Sequence, residues 1–164
     1  DVVRSRRISV ENHHNFAWRE QLADGSEVIV HRKGATPAGK DVLGVIPGSM
    51  GDPAYVVRGL GQAASINSAS HGAGRRYGRS EAFRKLEPKR WHEYLRKQKV
   101  TLIGGSLDES PQAYKNINDV MAAQQDLVAI EASFMPRIVR MADARQPKWR
   151  KDKQRNNKKK RRRR

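Results

Sequence analysis

One stretch places a nucleophile and an anion-binding frame within six residues: Ser70-His71-Gly72-Ala73-Gly74-Arg75. Neutral imidazole is a competent nucleophile near pH 7, because its unperturbed pKa is about 6.5. The glycines let backbone N–H groups approach phosphate oxygens closely. Arg75 adds a planar fork of donors for the same oxygens. The chemistry this set suits is attack by a histidine on a phosphorus atom. A histidine beside glycine is more often a plain turn residue, so the weight of the motif comes from its company.

That company lies upstream. Glu11-Asn12-His13-His14-Asn15 carries two adjacent histidines, and neighbours on a helix or strand diverge, so at most one faces a given point. A β-rich run over 27–31 feeds His31-Arg32-Lys33-Gly34-Ala35-Thr36-Pro37-Ala38, read as a basic loop. Arg32 and Lys33 there are either an oxyanion cradle or solvated charge, with nothing local to choose between them. A further glycine turn, Pro47-Gly48-Ser49-Met50-Gly51, follows the apolar run 42–46.

These blocks need elements to hold them. The repeated form is strand, glycine turn, strand, with 42–46 and 55–59 as strands and a small-residue stretch over 65–70 delivering His71. Residues 80–98 are rich in helix formers, and Pro88 divides them into two helices joined near Glu87. Arg84, Lys85, Lys89, Arg90, Arg96, Lys97 and Lys99 give that region a basic face. A strand over 100–103 and a turn at Ser110-Pro111 follow. The spacing then predicts an amphipathic helix within 116–130, capped by Asn116 or Asn118, with Ile117, Val120, Met121, Leu127 and Ile130 as core. A last strand is expected over 134–141. The fold class is α+β: a mixed β-rich core with loops carrying the site, flanking helices and a disordered basic C-terminal tail.

Charge is unevenly placed. Of the net +17, residues 145–164 contribute thirteen Lys or Arg against Asp152 alone. The division expected is therefore a domain over 1–144 and a polybasic tail over 145–164, which reads as a polycation for phosphates or as a nuclear address. There is no cysteine, which excludes disulfides and thiolate metal ligands within the chain. No apolar run approaches a bilayer-spanning length, so no membrane partner is expected.

Taken together, the blocks around His13-His14-Asn15, His31 to Ala38, Pro47 to Gly51 and Ser70 to Arg75, with Ser110-Pro111-Gln112-Ala113-Tyr114-Lys115 and Val120-Met121, resemble the C-terminal half of the RtcB-type RNA-splicing ligases. The similarity runs over roughly 10–141, and four such blocks in one order are far more specific than any of them singly. The resemblance implies a GTP- and Mn²⁺-dependent ligase joining RNA 3′-phosphate or 2′,3′-cyclic phosphate ends to 5′-hydroxyl ends. It assigns His71 as the nucleophile that takes GMP from GTP, and His14 as a metal ligand. It places Asn15, Pro47, Gly48, Ser49, Met50, Gly72, Ala73 and Gly74 against the guanylate. Arg32, Lys33 and Arg75 would handle RNA or nucleotide phosphates.

The resemblance also carries departures. Ala54 stands where the family contacts guanylate with a serine, removing one hydroxyl. Arg140 is the counterpart of a lysine that contacts guanine, and the two are not equivalent donors. The family's other metal ligands, an Asp, a Cys and two His, belong to an N-terminal half outside this sequence, so the chain is expected to be a portion completed by that segment. Implied partners are tRNA exon halves or broken RNA and an archease-type activating protein. The implied compartment is the cytoplasm, or the nucleus if the tail is a targeting signal. The alternative from another class is a catalytically incomplete remnant that serves as an RNA-binding structural subunit, held by its basic tail and helices.

Overall fold

In the computed structural model, which describes residues 9–13, 15–22 and 24–143, strand β1 (Asn15–Gln21) turns back as β2 (Glu27–Lys33). The turn between them is set by Asp24, whose Oδ1 accepts from the Ser26 amide at 2.9 Å, with Gly25 at φ 81°. Short β3 (Ala35–Pro37) pairs antiparallel with β6 (Ser68–Ser70). β4 (Leu43–Pro47) pairs with β5 (Ala54–Gly59), which pairs on its other edge with β8 (Val128–Phe134). β7 (Thr101–Gly105) runs parallel to β9 (Ile138–Asp143). Among the described residues the strands form four small sheets, and the architecture is α+β as expected.

The two helices before residue 98 form where the sequence places them: α1 (Arg79–Lys85) and α2 (Pro88–Lys97), with Pro88 at the first turn of α2. The seven basic residues named above all lie exposed around them. No helix among the described residues is long and apolar enough to cross a membrane.

Three expectations are corrected. The helix within 116–130 is only α3 (Ile117–Ala122). Its Asn116 cap is as expected, the side chain accepting from the Asn118 amide at 2.9 Å. Beyond Ala122 the carbonyl of Gln124 accepts from both Leu127 and Val128 amides, turning the chain so that 128–134 completes a ladder on the free edge of β5. Pairing along the β5 edge satisfies the β5-facing backbone groups of this run, which helical periodicity does not register. Ile130 consequently lies 54% exposed rather than in the core. The strand expected over 134–141 is likewise two strands, β8 ending at Phe134 and β9 starting at Ile138, with Pro136 between them. Arg32 and Lys33 belong to strand β2 rather than to a loop. The tail expected over 145–164 lies outside the described residues.

Two apolar clusters hold these pieces. One joins Ala38, Ile46, Val57, Ala69, Ala73, Ile117, Met121 and Val128, drawing on both sides of the glycine turns. The other packs Met50 against Trp91, Leu95 and Val100, tying the Pro47–Gly51 turn to α2 and β7.

Candidate functional site

The glycine turn after β4 is tightly built. The Gly48 amide donates to the Pro53 carbonyl at 3.0 Å, and a Cβ on Gly48 would stand 2.6 Å from that oxygen. Only glycine closes the turn there without backbone displacement. Ser49 donates its hydroxyl to the Asp52 carboxylate, and so does Tyr94 from α2. The indole N–H of Trp91 points at Met50 Sδ, 3.3 Å away. Burial, then the hydrogen bond to Asp52, pushes the Tyr94 hydroxyl well above the usual phenol range.

The histidine block seats on this turn. The Ala73 amide donates to the Pro47 carbonyl at 3.3 Å, and the His71 amide reaches the Gly34 carbonyl at 3.4 Å. A Cβ on Gly72 would lie 3.1 Å from the Pro47 oxygen, so the two turns are in close backbone contact. Ser70 fixes the approach from behind: its amide donates to the buried Gln124 side chain at 2.9 Å, and its hydroxyl donates to the Gly72 carbonyl at 2.7 Å. His71 is therefore delivered, half-buried, at the edge of the Pro47–Met50 turn.

Beside the turn lies a cavity of about 330 Å³ whose walls include Pro47, Gly48, Ser49, Met50 and Ala54. Val139, Met141 and Phe134 supply apolar surface, and Tyr114 and Glu109 supply polar atoms. A mainly apolar cleft of a few hundred Å³ with a few placed polar groups is the usual form of a small-molecule site. Five of the residues expected at a nucleotide thus line one cavity, and the Gly72-Ala73 turn abuts it through Pro47.

The remaining candidates are placed otherwise. Arg75 turns away from the glycine turn: its guanidinium donates to the Asp108 carbonyl at 2.5 Å, to Tyr114 Oη at 3.3 Å and to Glu109 at 3.4 Å. It also lies 5.2 Å from the Tyr114 ring centroid. Arg32 is turned inward, with its side chain 2% exposed. It donates to both Glu20 oxygens, to Ser68 Oγ at 2.7 Å and to the Ile66 carbonyl at 2.9 Å. Both arginines thus anchor strands and turns of the site in this structure. Lys33 is exposed at the end of β2, opposite Asn15 in register. The Asn15 side chain accepts from His31 Nε2 at 2.6 Å. Arg140 is exposed on β9 between Val139 and Met141, and those two face the cavity, so strand alternation sends Arg140 to the other side. Gly74, at φ 71°, is exposed beyond the turn. His14 lies outside the described residues.

Sequence reasoning missed the residues that hold the site from a distance. Tyr94, Trp91, Tyr114, Glu109 and Gln124 reach Asp52, Met50, Arg75 and Ser70 across 34 to 54 positions in the chain, and spacing carries no trace of that. Asp52 had a local signal in its position three residues after Ser49, a spacing suited to a side-chain closure of the turn. Tyr114 is pushed up to about 12 by burial and by its hydrogen bond to Glu109. Among the described residues no group of three or more His, Cys, Asp or Glu is placed to hold a metal ion.

Residues 2–142 match the family model described as tRNA-splicing ligase RtcB. The RNA-splicing ligase RtcB of Escherichia coli K12 is 44% identical over 121 residues, covering 72% of this chain and 29% of that protein. The tRNA-splicing ligase RtcB of Nanoarchaeum equitans is 37% identical over 150 residues, covering 75% of this chain and 31% of that protein. The namesake from Pyrococcus furiosus is 34% identical over 143 residues, 74% of this chain and 14% of that protein. The chain thus spans less than a third of the length of these relatives.

Proposed function

The chain belongs to the RtcB family of tRNA-splicing ligases, and from that premise we propose that it carries the guanylyl-accepting part of an RNA ligase. The observation that carries the reading is the seating of His71-Gly72-Ala73 on the Pro47 carbonyl, beside a cavity walled by the Pro47–Met50 turn.

The reaction proposed has three displacements at phosphorus. A ring nitrogen of His71 attacks the α-phosphorus of GTP; an N–P bond forms, the α–β P–O bond breaks and pyrophosphate leaves. An oxygen of an RNA 3′-phosphate then attacks the same phosphorus, forming a P–O–P linkage and returning the histidine nitrogen. A 5′-hydroxyl next attacks the RNA 3′-phosphorus, the new phosphodiester forms and GMP departs. A 2′,3′-cyclic phosphate end enters after hydrolysis to the 3′-phosphate. With the Ala73 amide engaged by Pro47, the Gly72 and Gly74 amides are the ones of this turn that suit the charge that builds on the phosphoryl oxygens. The apolar wall from Val139 and Met141 suits a base plane, and Ala54 contributes a methyl there rather than a hydroxyl.

Mn²⁺ is proposed with the family, and the described residues do not by themselves make up its ligand set. His14 is the residue of this chain proposed to hold it, and imidazole suits such ions. RNA with broken or spliced ends is the proposed substrate, and an archease-type protein the proposed activator.

Incubating the full-length protein with α-labelled GTP and Mn²⁺ tests the reading. Acid-labile, alkali-stable label that maps to His71 and disappears in His71→Ala is expected. An unlabelled wild type, or equal label on His71→Ala, overturns it.

A further inference from the structure

A second cavity, about 860 Å³ and open to solvent, is lined by Gly51, Asp52 and Pro53 at the end of the glycine turn. Its wall draws cations from four separate segments: Arg76 after the histidine turn, Lys85 at the end of α1, Arg90 on α2 and Lys115 before α3. Backbone pairing brings the first and last of these together. The Lys115 amide donates to the Gly74 carbonyl at 3.0 Å, and the Arg76 amide to the Ala113 carbonyl at 2.8 Å. Arg76 and Lys85 converge on Tyr77, their charged groups 5.5 and 5.0 Å from its ring centroid. Two like charges on one ring repel each other, which a bound anion relieves.

The acids of this wall are already engaged. Asp52 accepts from Ser49 and Tyr94, and Glu87 pairs with Arg90 at 3.2 Å. Lys85 has its own partner in Glu81 at 2.7 Å. Arg76 and Lys115, both exposed, have no ion pair with any described residue. Hydroxyl donors leave the Asp52 charge in place, but the wall sets four cations against Asp52 and Glu87 and is net positive, with Arg76 and Lys115 its available cations.

Resting on the ligase reading, we propose that this groove receives the phosphodiester backbone of the RNA strand as it leaves the reacting end. Asp52 and Tyr114 line both this groove and the smaller cavity, so the two adjoin along that wall. Cations spread over four segments suit successive phosphates along a strand better than one converging phosphate group. Asn116 and Asn118 on the same wall offer side-chain amides to sugar hydroxyls. The groove reads backbone, not sequence.

The double variant Arg76→Gln/Lys115→Gln in the full-length protein tests this. Binding of a dye-labelled single-stranded oligoribonucleotide with a 3′-phosphate is followed by anisotropy over a KCl series. Two lost phosphate contacts predict a log–log salt slope shallower by about 1.4 and an affinity about 25-fold lower at 0.1 M salt. Labelling by GTP needs no RNA strand and is expected to stay at the wild-type rate. The single variant Lys115→Glu should weaken RNA binding in the same direction, which guards against a folding defect in the double variant. Unchanged affinity and slope, as for a groove that takes an acidic protein, overturn the proposal, and so does labelling that falls in step with RNA binding. A wild type that takes no GTP label while the double variant loses RNA would instead sink the guanylylation reading and leave the groove standing.

Discussion

Tyr94 on α2 donates its hydroxyl to the carboxylate of Asp52, 42 residues earlier in the chain. The same carboxylate takes the Ser49 hydroxyl, so one acid ties the candidate nucleotide turn to a helix that contributes nothing else to that cavity. Gly51 packs so closely under Tyr94 that an added Cβ would meet its ring at 2.6 Å. Tyr94→Phe keeps that packing and removes only the donor. A hydrogen bond to a charged acceptor contributes about 1.5–3 kcal/mol, and the lower end is expected here because Asp52 retains Ser49. Urea denaturation should show that loss. If the turn holds guanylate, KM for GTP should rise in the full-length protein while the rate at saturating GTP changes little.

Tyr114 gives a pH signature. Its folded pKa is raised, by burial and then by Glu109, to about 12 from an ordinary value near 10. A raised folded pKa favours the protonated form in the native state. The stabilisation is therefore complete below pH 10 and lost as pH climbs from about 10 to about 12. Tyr114→Phe removes this titration. Thermal unfolding followed at pH 9, 10.5 and 11.5 should show a flatter decline for the variant than for the wild type.

Arg32 is a structural prediction with a sign opposite to that of a phosphate clamp. Its buried guanidinium serves Glu20, Ser68 and the Ile66 carbonyl, and it lies 5.2 Å from the Trp18 ring. Arg32→Ala leaves Glu20, 26% exposed, without its partner. A broken buried pair costs 3–5 kcal/mol, and the partial exposure of Glu20 places this one near about 3 kcal/mol. Chemical denaturation measures it. Arg32→Lys should recover less than half, since a lysine cannot present the fork that spans Glu20 and Ile66 together.

How much of this was legible in the chain depends on the range of the interaction. Local chemistry was legible: Pro88 starts α2, Asn116 caps α3, and the glycine turns fall between strands where punctuation places them. The blocks around His71 and Pro47 meet through the Ala73 amide on the Pro47 carbonyl, a contact that neither block announces by itself. What spacing could not reveal was the competition for Val128–Phe134, which the free edge of β5 wins over helix extension. Nor could it reveal the direction of Arg32 and Arg75, because a guanidinium in a basic or glycine-rich block looks the same whether it faces solvent, a phosphate or Glu20. The signal for an inward arginine is a carboxylate on the neighbouring strand, and that requires the β1–β2 register.

Ser110 separates a packed hydroxyl from a useful one. It is fully buried, and its Oγ has no hydrogen-bond partner among the described residues. A buried, unpaired hydroxyl costs about 1–3 kcal/mol of desolvation. Ser110→Ala deletes the polar atom and leaves a space of one oxygen. It should be neutral or stabilising by about 1 kcal/mol in urea denaturation, whereas a loss of more than that would show a partner beyond the described residues.

Gly48 and Gly74 test the turns themselves by different physics. At Gly48 the backbone is ordinary, but a Cβ would stand 2.6 Å from the Pro53 oxygen and 2.7 Å from Asp52 Cβ. Gly48→Ala therefore has to move the Pro47–Pro53 turn, with overpacking costs of about 1–3 kcal/mol. At Gly74 the surroundings are open and φ is 71°, so an alanine meets backbone strain of about 1–2 kcal/mol and no clash. Gly74→Asn should recover much of that loss, because asparagine tolerates the left-handed region, while Gly48→Asn should be worse than Gly48→Ala. Unfolding free energies of the four variants decide this. An equal loss at both alanines with no rescue at position 74 would mean that the two turns share one constraint, the seating of Ala73 on Pro47, rather than two.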